Sequence, residues 1–540
     1  MYKSILAVVA IAISATVSAQ QYQQVYSTES VDFLVDALQL DDNGMVMVGF
    51  SNGAGQGGND AVIIRTSVYG EILWSQSLGG GASDSFKKIT QLPNGNLLIA
   101  GTTQSVSETG LPDGFLCEMD LDGQVIWTTV LGEASDEQIR DIKVTEDEEI
   151  VITGLTSSFN DQGNYDIFVS KLDITGNLLW NKVYGSQQYE VPLGIEVSPE
   201  GKIFVWGHTS DDTNNYSAIL LKIGGETGEL DWTRSFNLAE NELAWDIVMT
   251  PEGDLLVSGD TNSQGAGLND IYVIRLNQDG VIQWAKTYGS FSHDHGTNIE
   301  YIKNDLFAVV GASSSFGQGG LDFSVLWIND DGVLKYTSAY GGDNKEVAHG
   351  VAKTSDDGLA IVGESRSFGQ GFYSGLLVKV NQDGRCMCNN AFSSEFEVSN
   401  IEFETGSPEL QLRGEEMESL SSDFLVSMQN VIGSEVICSD SPLESAPVGS
   451  PSHDIGAEIY QRLSLFPNPT AGQVTASLKT IKGTVSHLEV YNLEGKLVYR
   501  KDVPGTNATH QISIPDLSTG IFLVRLTTGT KIETKRLIVE

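Results

Sequence analysis

The chain has 540 residues, with 31 Lys and Arg against 72 Asp and Glu, so its formal charge is −41. A surface this acidic repels phosphate backbones and anionic headgroups, which argues against nucleic acid and bare anionic lipid as partners. The charge is also uneven. Residues 463–540 carry 9 basic and 6 acidic residues, or +3, which leaves −44 for the rest of the chain. This length and this asymmetry predict at least two domains with different roles.

Residues 1–19 have the pattern of a secretory signal peptide. Lys3 provides the positive start, Ile5–Ile13 form a short apolar run, and Ser18 and Ala19 are small residues before the expected cleavage site. The apolar run is shorter than the roughly 18 residues that a membrane-spanning helix needs. We therefore expect an exported protein with no transmembrane span.

Residues 20–389 contain an internal repeat of 52 or 53 residues. A glycine that closes an apolar strand recurs at Gly49, Gly101, Gly154, Gly207, Gly259, Gly311 and Gly363. A turn glycine recurs at Gly70, Gly123, Gly176, Gly228, Gly280, Gly332 and Gly384. An aromatic residue follows the turn glycine by four positions at Trp74, Trp127, Trp180, Trp232, Trp284 and Tyr336.

Each repeat contains four short runs of β-forming residues separated by turn residues such as PEG and QDG. Seven such units predict an all-β fold, a seven-bladed β-propeller with four-stranded blades. The recurring Trp is expected to pack between blades. The last repeat lacks its fourth strand, while Tyr26 in an extra N-terminal strand aligns with Tyr184, Tyr288 and Tyr340. We therefore expect the N-terminal strand to close the last blade.

The repeat pattern also resembles a known group of exported bacterial β-propeller repeats. The first copy reads GGNDAVIIRTSVYGEILWSQSLGG and the third reads YDIFVSKLDITGNLLWNKVYG. The resemblance covers residues 22 to about 389 and supports the propeller fold. It does not define a function, because propellers include both enzymes and binding modules.

After the repeats, residues 390–440 contain alternating runs that predict extra strands or a hairpin beside the ring, and residues 441–462 have a linker composition. Residues 463–540 alternate apolar strands with tight turns, which predicts a small β-sandwich. Cys386 or Cys388 could form a disulfide with Cys438, whereas Cys117 lies in an apolar strand and is expected to be a buried thiol.

The final segment resembles the type A C-terminal sorting domain of the type IX secretion system of Bacteroidota. The matching positions include Phe466, Thr470, Tyr491, the run Asp516–Ser518 and the terminal run Lys535–Ile538, together with the sorting motif Pro467, Asn468, Pro469, Gly472, Gly495, Lys496 and Gly520. The resemblance implies handling by the type IX machinery, removal of this domain, and an extracellular product that is secreted or attached to the outer-membrane surface.

A carboxylate stands seventeen residues before every strand-closing glycine, at Asp32, Asp84, Glu137, Glu190, Glu242, Asp294 and Glu346. Symmetry places these side chains in a ring near one mouth of the axial channel. Such a ring could collect a cation such as Ca²⁺ or a basic ligand. Alternatively, each carboxylate accepts backbone N–H bonds in the connection between blades.

Residues that break the symmetry are further candidates. His293 and His295 flank Asp294, and His349 follows Glu346 on the next repeat, so these side chains could bind a metal or simply form hydrogen bonds. Four other residues that do not repeat at the rim could contact a glycan or a peptide, namely Lys87, Arg140, Trp245 and Asp246.

The sequence has no GxSxG, HExxH or Asp-box motif. We therefore expect a binding or adhesion module without catalytic activity, for a carbohydrate or a surface protein. The competing hypothesis is a secreted polysaccharide hydrolase or lyase that uses carboxylates on the channel face.

Overall fold

The computed structural model describes residues 21–386, except 56, 161–162, 211–212, 214 and 370–371, and shorter stretches after them. These stretches are 391–392, 396–414, 418–420, 426–429, 432–439, 463–466, 474–479, 485–492, 496–504, 509–514, 517, 520–528 and 531–539. The expected signal peptide and linker lie outside these residues. The chain divides into two compact units, Met1–Leu443 and Glu444–Glu540.

The described part of the first unit consists of seven antiparallel five-stranded sheets, which we call blades 1 to 7. One strand, β1 (Tyr22–Ser27), precedes them in the chain. Blade 1 begins with β2 (Asp32–Gln39), β3 (Met45–Ser51), β4 (Asp60–Thr66) and β5 (Ile72–Leu78). Blade 2 begins with β6 (Asp84–Gln91), β7 (Leu97–Thr103), β8 (Asp113–Met119) and β9 (Val125–Gly132). Blade 3 begins with β10 (Glu137–Val144), β11 (Ile150–Thr156), β12 (Asp166–Leu172) and β13 (Leu178–Gly185).

The remaining blades repeat this order. Blade 4 begins with β14 (Glu190–Val197), β15 (Lys202–Ser210), β16 (Tyr216–Gly224) and β17 (Leu230–Asn237). Blade 5 begins with β18 (Glu242–Met249), β19 (Leu255–Thr261), β20 (Asp270–Leu276) and β21 (Ile282–Gly289). Blade 6 begins with β22 (Asp294–Lys303), β23 (Leu306–Ser313), β24 (Asp322–Asn329) and β25 (Leu334–Tyr340). Blade 7 contains β26 (Glu346–Lys353), β27 (Leu359–Ser365) and β28 (Ser374–Val380), followed in the sheet by β1.

The blades are arranged in a closed ring. The first strand of each blade contacts the first strand of the next, and β26 of blade 7 contacts β2 of blade 1. These first strands are therefore the inner strands around the axis. Apolar clusters lie between neighbouring blades; one of them combines Val46 and Ile63 of blade 1 with Phe86 and Phe115 of blade 2. A single blade cannot bury both of its faces, so stacking around the axis provides the core. The all-β propeller fold predicted from the sequence is confirmed.

The N-terminal strand completes blade 7. Strand β1 pairs antiparallel with β28, in the register Tyr22↔Lys379 to Tyr26↔Gly375. The Tyr26 hydroxyl donates to the carbonyl of Gly70 at 2.8 Å, as Tyr288 does to Gly332 at 2.7 Å. Tyr184 and Tyr340 make the same bond to the turn glycines Gly228 and Gly384. The predicted equivalence of these four tyrosines is therefore confirmed.

The recurring Trp packs between blades, as predicted. The indole of Trp180 donates to the carbonyl of Gly225 at 3.2 Å, and that of Trp284 donates to Asp330 at 2.8 Å; both acceptors belong to the next blade. The turn glycines have φ between 63° and 85°, and a Cβ on Gly176 would lie 2.6 Å from the ring of Trp127. Glycine is therefore needed there for both its backbone conformation and the contact with the ring.

A segment that we call the belt, residues 391–439, adds the fifth strand to every blade. Its strands are β29 (Ala391–Phe392), β30 (Glu397–Asn400), β31 (Glu404–Gly406), β32 (Gln411–Gly414), β33 (Glu418–Leu420), β34 (Val426–Gln429) and β35 (Gly433–Ser439). They pair in that order with blades 6, 5, 4, 3, 2, 1 and 7, so the belt runs around the ring in the direction opposite to the repeats. Each strand joins a separate blade and covers an outer edge that would otherwise be open to aggregation.

The last belt strand joins the two ends of the first unit. Strand β35 pairs with β1, which itself lies against β28. Cys438 in β35 is disulfide-bonded, whereas Cys117 and Cys386 carry thiols. Cys386 is therefore not the partner of Cys438, and Cys388 lies outside the described residues. Burial raises the pKa of Cys117 well above its ordinary value, in agreement with an inert core thiol.

The described part of the second unit contains two antiparallel sheets. One contains β36 (Leu463–Phe466), β37 (Val474–Lys479) and β40 (Thr509–Ile514). The other contains β38 (Val485–Asn492), β39 (Leu497–Pro504), β41 (Gly520–Thr528) and β42 (Lys531–Val539). Ile514 of the first sheet packs with Val490 and Val524 of the second, which makes a small β-sandwich. Throughout the described ranges, no helix has the length and apolar character required to span a membrane.

Candidate functional site

Every inner strand contains a β-bulge three residues after its first residue. In blade 2, Phe86 pairs with Gly101 and Lys88 with Ala100, so Lys87 is the bulged residue. The same shift occurs in all seven blades. We call the bulged residues the bulge ring; they are Val35, Lys87, Arg140, Leu193, Trp245, Thr297 and His349. A bulge turns one side chain away from its normal alternation, and bulges are common beside functional sites.

The bulge explains the strand-closing glycine of the repeat. A Cβ on these glycines would lie between 1.9 and 2.2 Å from a backbone carbonyl oxygen of the inner strand; in blade 2 a Cβ on Gly101 would lie 2.1 Å from the oxygen of Ser85. Only glycine allows the two backbones to approach this closely. The periodic glycine therefore fixes the backbone at the bulge, whereas the bulged side chain differs from blade to blade.

The seven repeated carboxylates each occupy the first position of an inner strand and are at most 3% exposed. Each accepts a bond of 2.7 to 3.1 Å from the backbone N–H four residues earlier, in the connection from the preceding blade. Each also accepts a bond from a hydroxyl at the end of the second strand, donated by Ser51, Thr103, Thr156, Thr209, Thr261, Ser313 or Ser365. This arrangement matches the structural alternative among the two sequence interpretations.

The candidate metal-binding histidines have different partners from those that the sequence interpretation gave them. His295 Nδ1 lies 2.8 Å from Asp260, and His349 Nε2 bonds to Glu364. His293 is exposed and stacks on His295 with ring centroids 6.1 Å apart. Asp294 and Glu346 instead face serines of their own blades. Within the described ranges, no group of three or more His, Cys, Asp or Glu side chains could hold a metal ion.

Aromatic rings and cations lie together at blades 7, 1 and 2. Phe33 stacks on Phe50 at 4.9 Å between ring centroids and lies 5.3 Å from Tyr373; we call these three rings the aromatic patch. The ring of His349 lies 6.1 Å from that of Phe33. Lys87 Nζ lies 5.5 Å above the ring of Phe50, and the guanidinium of Arg366 lies 4.5 Å from that of Tyr373. These distances allow cation–π attraction.

Lys87 and Arg140 are the two cations of the bulge ring and lie on neighbouring blades. Burial, with a contribution from Arg140, lowers the pKa of Lys87 to about 8. Burial also lowers the pKa of Arg140, against the opposing effects of Asp136 and Tyr165. Both groups are therefore held in surroundings that disfavour their charged forms.

On blades 5 and 6, Asp260 connects three groups. It accepts bonds from the indole of Trp245 at 2.8 Å and from the backbone of Gly296 at 2.9 Å, and it contacts His295. The bond to Asp260 is the largest influence on the pKa of His295 and raises it. Beside these groups lies a cavity of about 170 Å³, which we call the Asn pocket, lined by Tyr216, Asn241, Leu243, Asp260, Asn262 and Asn269.

Asp246 faces the channel and does not belong to the bulge ring. Its side chain accepts the backbone N–H of Ile299 on the next blade at 3.0 Å, as Asp36 accepts Ile89 and Asp141 accepts Ile195, both at 2.9 Å. These three carboxylates therefore connect blade 1 to 2, 3 to 4 and 5 to 6. The channel at this level contains a cavity of about 120 Å³.

Charged pairs line this part of the channel. Lys88 lies 3.8 Å from Asp141, and Lys143 lies 2.8 Å from Glu196. Burial alone would lower the pKa of Lys88, but its carboxylate neighbours outweigh burial and raise it. Burial raises the pKa of Glu300, in the same cavity, to about 7. Of the channel carboxylates, Asp141, Glu196 and Asp246 are thus engaged with lysines or backbone N–H groups.

The sequence interpretation placed Lys87, Arg140, Trp245 and His349 near one rim, and the structure places all four in the bulge ring. It missed Asp260 and Glu364, which follow the strand-closing glycines directly and pair with Trp245 and His349 of the same blade. The residue directly after the strand-closing glycine varies from blade to blade, and this variation could have identified both carboxylates. It also missed the hydroxyl partners of the carboxylates, although Ser or Thr stands two residues after every strand-closing glycine.

Residues 464–540 match the family model of the secretion system C-terminal sorting domain. Of the sorting motif, Lys496 directly precedes β39 and Gly520 begins β41. Pro467, Asn468, Pro469, Gly472 and Gly495 lie outside the described residues. The sorting tail shows that the chain is secreted to the cell surface or the extracellular space. No curated protein matches the chain.

Several solved structures are similar in outline. The polysaccharide lyase Uly1 is 9% identical, with a TM-score of 0.43 over 67% of this chain and 100% of the lyase. The Trypanosoma rangeli sialidase is 9% identical, with a TM-score of 0.30 over 86% of this chain and 85% of the sialidase. A family 43 arabinoxylan arabinofuranohydrolase from Bacillus subtilis is 12% identical, with a TM-score of 0.25 over 73% of this chain and 93% of the enzyme. At these values the similarities support no inference about activity or ligand.

Fold and tail together define a class, an exported β-propeller protein with a C-terminal sorting domain.

Proposed function

We propose that this protein is a surface or secreted binding module for carbohydrate, delivered by the type IX secretion system of a member of the Bacteroidota. The observation that carries the proposal is the bulge ring. One backbone device, repeated in seven blades, presents a different side chain from each blade at the same level of the axis. Ligand recognition needs such asymmetry, whereas the packing of a repeat does not.

The side chains near the bulge ring have the chemistry that binds a sugar. The aromatic patch offers flat apolar surfaces that can pack against the C–H faces of a sugar ring. The Asn pocket offers amide, hydroxyl and carboxylate groups, which can donate to and accept from sugar hydroxyls. The side-chain oxygens of Asn241 and Asn262 accept backbone N–H bonds at 3.0 and 2.9 Å, which leaves their amide N–H groups available as donors.

The sorting tail supports the delivery route. Type IX handling is expected to end with removal of residues 463–540, so that the propeller and belt form the mature product, either released or attached to the surface. The separation of the chain into two compact units, Met1–Leu443 and Glu444–Glu540, is compatible with such a cleavage. A surface protein is the alternative ligand.

A second candidate function is a polysaccharide hydrolase or lyase. It is favoured by the two His–carboxylate pairs, His295 with Asp260 and His349 with Glu364, because a carboxylate that orients an imidazole is the arrangement of many general bases. The cavities do not support an enclosed active site. At about 170 and 120 Å³, both are smaller than the ~300–1,000 Å³ of typical small-molecule sites.

The test is a glycan array probed with the purified chain and with a Trp245→Ala variant, each with Ca²⁺ and with chelator. The matched control is Tyr69→Ala, an exposed tyrosine (52%) in a turn between the third and fourth strands of blade 1. We expect binding that Trp245→Ala weakens, that Tyr69→Ala retains and that chelation leaves unchanged, because the repeated carboxylates already have donors. Uniformly negative arrays combined with turnover of any polysaccharide would overturn the proposal in favour of the enzyme.

A further inference from the structure

Lys87 and Arg140 stand out among the cations near the axis because they are not neutralised. Among the described residues, no carboxylate lies within 4.0 Å of either charged group, and Nε of Arg140 is buried without a hydrogen-bond partner. Lys88 and Lys143, one and three residues further along the same strands, each have a carboxylate partner within that distance. On these two inner strands, the absence of a carboxylate partner is therefore specific to the bulged cations Lys87 and Arg140.

Asp136 is the carboxylate that acts to raise the pKa of Arg140, and it already has other hydrogen-bond donors. It accepts the hydroxyl of Tyr165 at 2.8 Å and the amide of Gln138 at 3.0 Å. The chain has 72 acidic residues, so a neutralising partner at this place would have been easy to supply. Two partly buried cations that repel each other are unfavourable in the folded protein unless something else balances them.

An anion is the group that would balance them. A guanidinium can donate two parallel N–H bonds to a carboxylate or sulfate, and an ammonium adds a third donor and a charge. The aromatic patch lies next to Lys87, because Lys87 Nζ lies 5.5 Å from the centroid of Phe50, and it places apolar surface beside the charge.

We propose that Lys87 and Arg140 bind the carboxylate or sulfate of an acidic polysaccharide that lies beside the aromatic patch. This inference rests on the proposed carbohydrate-binding function and names the class of glycan.

The test compares two double variants with the same change in charge. The first is Lys87→Gln with Arg140→Gln. The control is Lys286→Gln with Arg234→Gln, two cations that also lie over aromatic rings, 5.6 Å from Trp284 and 5.0 Å from Trp232, on the fourth strands of blades 5 and 4. Calorimetric titration of the full chain would use a polyuronate, a sulfated galactan without uronate, a neutral glucan and polyglutamate.

We expect the first double variant to bind the acidic glycan at least roughly tenfold more weakly, the loss of one charge-assisted bond, and to bind neutral glucan unchanged. The control should match the parent protein throughout. The polyuronate and the sulfated galactan distinguish a carboxylate ligand from a sulfate ligand. A thermal melt reports folding, and the variant should be at least as stable as the parent.

Three results would overturn the inference while leaving the proposed function intact. They are equal binding of acidic glycan by the parent and the first variant, an equal loss in the control, and binding of neutral glucan alone. Binding of polyglutamate as tightly as glycan, with the same dependence on Lys87 and Arg140, would also overturn it, because the ligand would then be an acidic protein. Failure of the parent to bind any glycan would instead overturn the proposed function.

Discussion

Glu137 and Arg140 lie three residues apart at the start of the same inner strand, but one position is repeated in every blade and the other varies. Glu137 has a carboxylate equivalent in every blade, is fully buried and accepts bonds from Glu133, Thr156 and Ser158. Arg140 occupies a position that holds a different side chain in each blade, and its Nε is buried without a hydrogen-bond partner. The repeated position holds neighbouring blades together. The side chain at the variable position differs from blade to blade, and that of Arg140 is available for a ligand.

The largest expected effect comes from removing a repeated carboxylate. Glu137→Ala leaves a buried backbone N–H and two hydroxyls without their acceptor, so we expect a loss of about 3–5 kcal/mol in the free energy of unfolding. Urea denaturation followed by tryptophan fluorescence measures it. Arg140→Ala, in the same strand, should change stability by less than about 1 kcal/mol. Equal losses in the two variants would remove the distinction between the positions.

A smaller effect comes from the pH dependence at a junction between blades. Asp322, at the start of β24, is buried, its Oδ1 has no hydrogen-bond partner, and it faces Glu346. Burial, reinforced by the charge of Glu346, raises its pKa from 3.8 to about 8. The folded protein therefore holds this proton more tightly than the unfolded chain. The stability that protonated Asp322 contributes is fully present below about pH 4 and is lost as the pH rises through 8.

Asp322→Asn keeps a neutral donor at this place at every pH. We expect the variant to be more stable than the parent by roughly 2 kcal/mol at pH 9, with a flatter profile between pH 4 and 8. Thermal melts across this range measure the difference. Asp279→Asn, at an exposed turn, is the matched control and should follow the parent. A profile of Asp322→Asn that coincides with the parent would show that the junction is not protonated.

The smallest expected effect has the opposite sign. Lys87→Gln removes a cation whose pKa burial lowers from 10.5 to about 8, so we expect a gain of up to about 1 kcal/mol at pH 7. The gain should fade as the pH rises from 8 to above 10.5, because the lysine of the folded parent then loses its proton. Lys286→Gln should show no such dependence. A loss of stability at pH 7 in Lys87→Gln would indicate a structural role for this position.

The repeat unit could be predicted in detail because each of its signals is local. The turn glycines have positive φ, and all of them except Gly70 lie against a Trp of the preceding blade. The strand-closing glycines lie against a backbone carbonyl at the bulge. Such constraints recur wherever the backbone recurs, so they are visible as a period. The pairing of β1 with β28 could be predicted in the same way, because the seventh repeat lacks its fourth strand and the N-terminal strand belongs to no other repeat.

The candidate site was predictable only in part. Lys87, Arg140, Trp245 and His349 could be chosen because they broke the period, but the direction of each side chain depends on a bulge that shifts the alternation by one residue. Without that shift, Asp246 was grouped with Trp245, although it faces the channel and bonds to Ile299. The pairing of His295 with Asp260 joins residues of two blades, and no local spacing indicates it.

The sequence by itself determined the seven-part repeat, the ring closure by the N-terminal strand and the sorting tail, because each depends on short-range patterns of glycine, aromatic and alternating residues. The tertiary structure alone decided the path of the belt, which gives one strand to each blade in reverse order. The reason is that an outer edge offers only backbone N–H and C=O groups, which accept any extended segment. The closed ring and the reach of the chain then decide which blade each belt strand joins and in what order. Neither can be predicted from the local sequence.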